Sequence, residues 1–304
     1  MKGRLALVAA VLAIAGVTVS SASAARRERW CLGRRATIEG THRADELRGT
    51  PGADVVWAGP GDDIVSTRGG NDVVCGSWGL DRIAGDRGRD RLRGGHGADV
   101  LDAFDDLSHH RGGRGNDILN GGAGADVLFG DRGGNRLKGG GGMDTLVSGM
   151  GRDVITGGRD RDAADLSLSR RAVRVDLARG RAGGMGRDVL TRIESVYGSR
   201  FADVLRGDER RNRFYGLDGP DLLVGRKGDD VLEGDAGDDV LIGRRGADRL
   251  DRANNMGDDT MRGDRGNDLL NARGQVRGND SADGGRGDDR CPADADDSLT
   301  HCES

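Results

Sequence analysis

The sequence has few of the residues that fill an ordinary globular core. Only 3% of its 304 residues are aromatic, proline occurs four times, and 32% of the residues are charged. A core of packed aromatic rings and long helices is therefore not expected. Low hydrophobicity combined with much glycine is also typical of disordered chains, so the order of the residues must decide between a folded and an unfolded chain.

Common catalytic and cofactor motifs are missing as well. The five histidines are scattered without an HExxH motif, no CxxC pair indicates a redox or zinc site, and no serine lies in a GxSxG turn. A GxG spacing occurs near residue 121, but no strand–helix unit of a nucleotide site follows it. We expect the adjacent His109 and His110 to be an exposed loop pair. The sequence therefore predicts no catalytic residue and no organic cofactor.

Long apolar runs are limited to the N-terminus. Leu5–Val19 follows a short basic head and is followed by small residues that end at Ala24. This arrangement predicts a secretory signal peptide over residues 1–24, cleaved near Ala24. The run is too short to span a membrane comfortably, so we expect a secreted, extracellular protein with no membrane span in its mature form.

The charge balance is mildly acidic. The formal net charge is −4, and removal of Lys2 and Arg4 with the signal peptide lowers it to −6. A nucleic-acid partner is not expected at that balance, because such partners select strongly basic surfaces.

Glycine is abundant, with 56 residues, and it recurs in a nine-residue pattern of which GGAGADVLF at residues 121–129 is typical. From Gly49 to Pro292 the chain holds 22 copies, and the sixth position is Asp in 20 of them and Asn at 135 and 212. The fourth position is Gly in 19 copies, and the eighth is a large apolar residue in 19. Three different residue types in three fixed columns favour a folded repeat protein over a disordered chain.

Each column has a physical role in a stacked solenoid. Glycine permits a tight turn with positive φ, and positions seven to nine suit a short strand whose eighth side chain points inward. One unit cannot bury its apolar side, but stacked units can. Two nonapeptides complete an 18-residue coil, and about eleven coils would form a rod of roughly 50 Å. Residues 103–111 lose the pattern but keep its length, so we expect them to complete a coil.

Aspartates in the sixth column predict metal sites. Stacking places every second Asp in a row on one side, where like charges repel strongly. Ca²⁺ relieves this repulsion, since it accepts about six to eight oxygens from carboxylates and from the carbonyls that glycine turns expose. The predicted ligands are Asp54, Asp63, Asp72, Asp81, Asp90, Asp99, Asp117, Asp126, Asp144, Asp153, Asp162, Asp203, Asp221, Asp230, Asp239, Asp248, Asp259, Asp268, Asp280 and Asp289.

The pattern GGxGxD with an apolar eighth residue resembles the hemolysin-type calcium-binding repeat, the RTX nonapeptide. The resemblance covers most of residues 49–292, and the interruption at 166–197 is similar to spacers within such arrays. It implies an all-β, parallel β-roll that binds several Ca²⁺ ions between its turns and folds poorly without them. The chain departs from the family pattern in its signal peptide and in its second position, which is Gly in only 8 repeats.

Four cysteines allow three disulfide pairings. Because the ends of a solenoid need caps, we expect Cys31 to pair with Cys75 and Cys291 with Cys302. Residues 25–48 and 293–304 are then the N-terminal and C-terminal cap segments. The repeats themselves occupy residues 49–165 and 198–292, on either side of the spacer.

Two function classes remain open at this point. The first is a secreted, non-enzymatic calcium-binding protein with a structural or adhesive role, whose partners besides calcium are cell-envelope or surface components. The alternative is a toxin-like or enzymatic effector that uses the β-roll as a folding or secretion module. A site of that second kind would lie in the spacer, which has Asp176, Asp188 and Glu194 but no His or Cys.

Overall fold

The computed structural model describes residues 29–102, 115–251, 257–273 and 279–303. The predicted signal peptide and the pair His109–His110 lie outside these residues. The described residues form 32 strands and one short 3-10 helix, Leu177–Arg179. In chain order the strands are β1 (Trp30–Cys31), β2 (Arg34–Arg35), β3 (Ile38–Glu39), β4 (Glu46–Arg48), β5 (Val55–Pro60), β6 (Ile64–Ser66), β7 (Gly69–Gly70), β8 (Val73–Trp78), β9 (Arg82–Ala84), β10 (Arg87–Gly88), β11 (Arg91–His96), β12 (Val100–Asp102), β13 (Ile118–Ala123), β14 (Val127–Phe129), β15 (Arg136–Gly141), β16 (Thr145–Val147), β17 (Val154–Arg159), β18 (Ala163–Asp165), β19 (Arg174–Asp176), β20 (Arg181–Gly183), β21 (Arg187–Thr191), β22 (Ser195–Tyr197), β23 (Val204–Arg206), β24 (Arg213–Asp218), β25 (Leu222–Lys227), β26 (Val231–Ala236), β27 (Val240–Arg245), β28 (Arg249–Asp251), β29 (Thr260–Arg265), β30 (Leu269–Asn271), β31 (Ser281–Arg286) and β32 (Ser298–Thr300).

Two long sheets form the walls of a parallel β-solenoid, as the repeat pattern predicts. The long sheet has 16 strands, in the order β3-β5-β8-β11-β13-β15-β17-β21-β20-β19-β23-β25-β27-β29-β31-β32, and the short sheet has 12, from β4 to β30. From β3 to β18 and from β22 to β31 the chain alternates between the two sheets, apart from β7 and β10, which pair with each other. One strand of each sheet therefore makes one coil. The usual register joins residues 18 apart, as between Arg136 and Val154. This is the two-repeat coil that the sequence indicates.

The core is a single file of apolar side chains between the sheets. All 22 eighth-position residues are buried, and Leu101, Leu119 and Leu128 have no exposed surface. Positions seven and nine point outward, since successive side chains of a strand alternate between its faces. Because each coil contributes two inward side chains, large aromatic residues are not needed, and Phe214 is the bulkiest side chain in the file.

Fourth-position glycines allow the coils to stack closely at their turns. Gly142 has φ of 115°, and a Cβ built on it would lie 2.1 Å from the carbonyl oxygen of Gly124 in the preceding coil. Neither that dihedral angle nor that distance tolerates a side chain. The glycine column is therefore a consequence of stacking as well as of turn formation.

The coil predicted at residues 103–111 lies outside the described residues, but the strands on either side of it pair directly with each other. Arg91 of β11 pairs with Ile118 of β13, and Val100 of β12 pairs with Val127 of β14. Both registers span 27 residues instead of 18, so β11 and β12 form the coil directly adjacent to that of β13 and β14. Equal length alone was the basis of the prediction for residues 103–111, and these residues carry neither the turn glycine nor the inward apolar residue of a repeat.

The spacer continues the solenoid instead of interrupting it. Its strand β21 pairs in parallel with β17, β20 is antiparallel to both β21 and β19, and β19 pairs in parallel with β23. The long sheet thereby gains two extra strands, while the short sheet passes directly from β18 through β22 to β24. With the first and last coils included, the solenoid has about 13 turns, more than the eleven expected.

Both predicted disulfides are present. Cys31 of β1 bonds to Cys75 of β8, which ties the N-terminal strands to the outer face of the long sheet. Cys291 bonds to Cys302 and lies 8% exposed at an eighth position, where a leucine would otherwise fill the core. No helix in the described part of the chain is long and apolar enough to cross a membrane.

Candidate metal sites

The sixth-position aspartates are all buried. None of the 20 predicted ligands exceeds 6% exposure. Each follows a glycine turn and precedes a strand, so the turn directs the carboxylate into the space between two coils. Burial of so many carboxylates is costly unless each finds hydrogen bonds or a counter-ion.

One oxygen of each carboxylate joins neighbouring coils. Asp144 Oδ1 accepts a hydrogen bond of 2.9 Å from the backbone N–H of Asp126, and Asp72 Oδ1 accepts one of 2.8 Å from Asp54. The same bond repeats along both edges of the solenoid and forms two ladders. We call them the long-sheet ladder and the short-sheet ladder after the strands they precede.

The long-sheet ladder runs through Asp54, Asp72, Asp90, Asp117, Asn135, Asp153 and Asp188, and after the spacer through Asp203, Asp221, Asp239, Asp259, Asp280 and Asp297. The short-sheet ladder runs through Asp45, Asp63, Asp81, Asp99, Asp126, Asp144, Asp162 and Glu194, and then through Asn212, Asp230, Asp248, Asp268 and Asp289. The structure thus brings each predicted ligand next to its equivalent in an adjacent coil.

The second carboxylate oxygen has no protein donor in many of these residues. Within the described chain, Oδ2 is buried without a hydrogen-bond partner in Asp63, Asp81, Asp90, Asp99, Asp126, Asp221, Asp230, Asp239, Asp248, Asp268 and Asp289. A buried oxygen of an ionised carboxylate that lacks a donor is among the most costly polar groups in a protein. A cation is the ligand that removes this cost.

First-position glycines make room for this second oxygen. A Cβ built on Gly121 would lie 2.2 Å from Asp126 Oδ2, and one on Gly76 would lie 2.2 Å from Asp81 Oδ2. Any other residue at the first position would therefore fill the space beside the carboxylate. Glycine keeps that space open in the repeats that have it.

Asn135 shows which backbone atom faces the same space. Its Nδ2 donates a hydrogen bond to the carbonyl oxygen of Gly130, the first residue of its own repeat. An Asp at position 135 would place a carboxylate oxygen, instead of the amide nitrogen, next to the Gly130 carbonyl oxygen. A cation that binds oxygen ligands would stabilise this pair of oxygens. The natural Asn thus supplies by its amide the positive charge density that the other repeats lack.

Burial raises the pKa of many ladder carboxyls. Desolvation is the main cause, and it raises the pKa of Asp221 and Asp230 to about 8 and that of Asp81 and Asp126 to about 7. The backbone hydrogen bond from the preceding coil lowers each pKa, while charged neighbours in the same ladder raise it. In the absence of a cation, these four carboxyls therefore stay protonated to a higher pH than an exposed Asp does.

The donor set fits calcium. It consists of carboxylate and carbonyl oxygens without nitrogen or sulfur, which suits a hard cation that accepts many oxygens in flexible geometry. In the described residues, no group of three or more His, Cys, Asp or Glu side chains surrounds a single point. Carboxylates of adjacent coils and backbone carbonyls must therefore share the coordination.

Four acidic ladder residues lie outside the predicted set: Asp45, Asp188, Glu194 and Asp297. Asp188 is the sixth residue of GGMGRDVLT at 183–191, which matches the full repeat pattern within the spacer. Asp45 follows Gly40 by five residues and precedes the apolar Leu47 by two, so the repeat spacing extends one unit upstream of Gly49. Glu194 and Asp297 have no turn glycine at the expected distance, and only the structure identifies them.

The spacer carboxylates are engaged in the solenoid. Asp188 and Glu194 accept hydrogen bonds from Asp153 and Asp162 across adjacent coils. Asp176 forms an ion pair with Arg226 at 2.9 Å, and its hydrogen bonds with that side chain lower its pKa. The three residues thus lie in separate contacts and do not converge on one point.

Comparison with known proteins agrees with the geometry. The family profile of the RTX calcium-binding nonapeptide repeat, in its four-copy form, matches residues 39–74, 76–103, 111–137, 129–164, 197–225, 215–250, 255–275 and 277–297, which together exceed half of the chain. A solved structure of a hyperactive, Ca²⁺-dependent, β-helical antifreeze protein from an Antarctic bacterium is 19% identical, with 87% of this chain and 80% of that one covered and a TM-score of 0.26. The search of curated proteins gives no significant match.

Proposed function

The chain belongs to the family of RTX calcium-binding nonapeptide repeat proteins and is a calcium-binding β-solenoid for several Ca²⁺ ions. From this premise we propose that it is a secreted, non-enzymatic protein that folds when calcium binds and has a structural or adhesive role at the cell envelope. One observation carries the proposal: two ladders of buried carboxylates, in which many of the second oxygens have no donor from the protein.

The proposed ligands are the 20 sixth-position aspartates and, in addition, Asp45, Asp188 and Asp297. Adjacent members of a ladder, such as Asp126 and Asp144, hold one ion between two coils together with carbonyls of the turns. Calcium, when bound, supplies the positive charge that these carboxylates need. The chain positions the oxygens and excludes water by stacking. Calcium binding is weaker at Asn135 and Asn212, where an amide replaces a carboxylate.

Secretion is supported by the N-terminal sequence and by the disulfides. We propose that residues 1–24 are removed as a signal peptide near Ala24 and that residues 25–48 and 293–304 close the two ends of the solenoid. The repeat blocks are residues 49–165 and 198–292, and the spacer at 166–197 lies between them. Two disulfides occur in the described chain, and disulfides persist mainly in oxidising compartments outside the cytoplasm.

A non-enzymatic role is supported by the spacer. The acidic residues that would have served an effector are bonded to other coils or to Arg226. These contacts give each of them a structural part in the solenoid.

The test is a calcium titration of the mature protein followed by circular dichroism. In chelator the ladder carboxylates repel one another, so we expect little β structure. Calcium should restore it cooperatively, with a midpoint of ~10⁻⁴–10⁻³ M, because binding free energy appears as folding free energy.

Mg²⁺ at the same concentration is the control and should substitute poorly, since it demands tighter octahedral geometry. A spectrum that is identical in chelator and in calcium would contradict the proposal.

A further inference from the structure

A row of cationic side chains follows the outer face of the long sheet in its C-terminal part. Lys227, Arg245, Arg265 and Arg286 occupy the third position of successive coils on this side, and the strand register places each one opposite the next. Adjacent members are thus one strand spacing apart, about 4.8 Å. All four side chains are exposed.

This row lines a groove of about 940 Å³. Arg206, Arg226 and Arg244 add three more guanidinium groups, and Leu222, Val224 and Ile242 contribute apolar surface. Asp264 is the one carboxylate among the lining residues. We call this surface the arginine groove.

Most of this positive charge is uncompensated. Arg226 pairs with Asp176, Lys227 with Glu209, and Asp264 is engaged by Arg262 outside the groove lining. Within the described residues, Arg245, Arg265 and Arg286 form no ion pair with a carboxylate. Like charges at the strand spacing repel one another, so an anion that lies along the row would be bound favourably.

Backbone geometry adds a second observation. Arg226 and Arg244, which face the groove from the second position of their repeats, have φ of 84° and 86°. Positive φ is a property of this turn position elsewhere in the solenoid too, since Ser77 and Leu217 have φ of 106° and 80°. The family pattern offers Gly at this position, but this chain places guanidinium groups there.

Calcium binding makes the net charge of the protein more positive and so favours anion binding in the groove. In this respect the inference rests on the proposed function. The mature chain has a formal charge of −6, so three bound Ca²⁺ ions neutralise it and any further ions leave it cationic. The two ladders hold 24 of the 51 acidic residues, and calcium neutralises the charge of these carboxylates, whereas the exposed arginines keep theirs. The loaded solenoid therefore presents its positive charge to the solvent.

We propose that the arginine groove binds a linear acidic glycan, a polysaccharide with carboxylate groups at regular intervals. A straight row of evenly spaced guanidinium groups fits an extended polymer of repeating anions, and guanidinium pairs well with carboxylate. Single-stranded nucleic acids are bound by stacking of bases on aromatic rings, and no lining residue of the groove is aromatic. Such a glycan is a specific form of the cell-envelope partner proposed above.

The experiment measures binding of fluorescein-labelled hyaluronan to the calcium-loaded mature protein by fluorescence anisotropy. The triple variant Arg245→Gln/Arg265→Gln/Arg286→Gln should weaken binding about tenfold or more, since three exposed ion pairs are lost. The matched control is Arg82→Gln/Arg91→Gln/Arg136→Gln, which removes the same charge from exposed seventh positions outside the groove. This control should change affinity less than about twofold, as expected for a screened long-range effect.

Neutral dextran and single-stranded DNA are the comparison ligands. Dextran should not bind, and DNA should bind more weakly than hyaluronan. Equal loss of affinity in both triple variants, no hyaluronan binding, or equal or tighter binding of DNA would each overturn the inference. Circular dichroism of the same samples separates the two proposals. If the protein folds with calcium but does not bind hyaluronan, only the groove proposal is refuted. If the protein folds without calcium, the proposed function is refuted, and the anisotropy data decide the groove proposal.

Discussion

The two oxygens of a ladder aspartate have different roles. In Asp221, Oδ1 accepts a hydrogen bond of 2.7 Å from the backbone N–H of Asp203, while Oδ2 is buried without a donor. The first oxygen holds coils together in any state of the protein. The second destabilises the ion-free solenoid and is available to a cation.

Replacement of one ladder carboxylate should separate these roles. Asp221→Asn keeps an oxygen for the ladder and removes a buried charge, as at Asn135, whose Oδ1 accepts the ladder bond from the backbone N–H of Asp117. In chelator we expect the variant to be more stable than the wild type by about 1–3 kcal/mol. In calcium it should bind fewer ions, measured by isothermal titration calorimetry.

Asp218→Asn, in the same repeat, is the control because Asp218 is exposed. It should leave both the ion number and the stability in chelator nearly unchanged. Equal effects of the two variants would show that net charge, and not the ladder position, determines ion binding.

The raised carboxyl pKa values predict an unusual dependence on pH. An unfolded Asp titrates near ~3.9, whereas the pKa of Asp81 rises to about 7 and that of Asp221 to about 8 in the ion-free fold. Between these values the folded chain binds more protons than the unfolded chain, so its stability falls as pH rises. In chelator, the β signal should therefore increase when pH is lowered from about 8 to about 5.

Calcium should reverse this dependence, because its ligands must be deprotonated. The same acidification in calcium should release ions and raise the concentration needed for folding. Parallel pH profiles with and without calcium would rule out the ladders as the ion sites.

At the residue scale, the sequence predicts ligand type and column but not the roles of the two oxygens. The period of nine residues places every Asp in the same turn, and the structure buries all 20. The bond from each Asp to the backbone one coil earlier depends on the distance between coils, which no single repeat contains. Glu194 could not be predicted, because neither its residue type nor its turn matches the pattern.

At the scale of the element, the turn is the most constrained part of the repeat. Adjacent glycines within one turn differ in what surrounds them: Gly142 lies against the Gly124 carbonyl with φ of 115°, whereas a Cβ on Gly141 would meet nothing within 4 Å. The same chemical change can therefore be tested at neighbouring positions.

Gly142→Ala should destabilise the calcium-loaded protein by about 3 kcal/mol or more, since the new methyl group needs both a disfavoured dihedral angle and a shift of the adjacent coil. Gly141→Ala should change stability by less than about 0.5 kcal/mol. Urea denaturation in saturating calcium measures both. Similar losses in the two variants would mean that loss of glycine flexibility, and not coil stacking, explains the effect.

Strand pairing within the repeats is predictable from the sequence, but pairing in the spacer is not. A regular repeat specifies its own register, because any slip would move the apolar eighth residue out of the core. The spacer lacks that repetition except at 183–191, and no repeat specifies the antiparallel pairing of its strand β20 with β19 and β21. The 27-residue register between β11 and β13 is equally unpredictable from the sequence, because the extra nine residues have the length of one repeat.

At the scale of the whole molecule, the disulfides stabilise the two ends. The bonds close loops of 44 and 11 residues, and each should contribute ~2–4 kcal/mol, the longer loop more. Because stacked repeats couple mainly to their neighbours, reduction should loosen the ends and raise the calcium midpoint while central coils keep their β signal.

Hydrogen exchange read by mass spectrometry, with and without reductant in saturating calcium, measures this effect. Faster exchange confined to the regions near residues 29–60 and 280–303 is expected. Uniformly faster exchange along the chain would instead indicate a single cooperative unit.

The constant register between coils has a consequence for folding speed. Most strand contacts join residues 18 apart in a chain of 304, so the relative contact order is about 0.06, as low as in helical bundles that fold within milliseconds. Each new coil closes a loop of the same length, and the entropic barrier does not grow as the stack lengthens. Among the described strands, the longest registers are 27 residues, in β11–β13 and β12–β14, and 30 to 35 residues across the spacer, in β17–β21, β18–β22 and β19–β23. Growth of the stack from either end should slow at these two junctions.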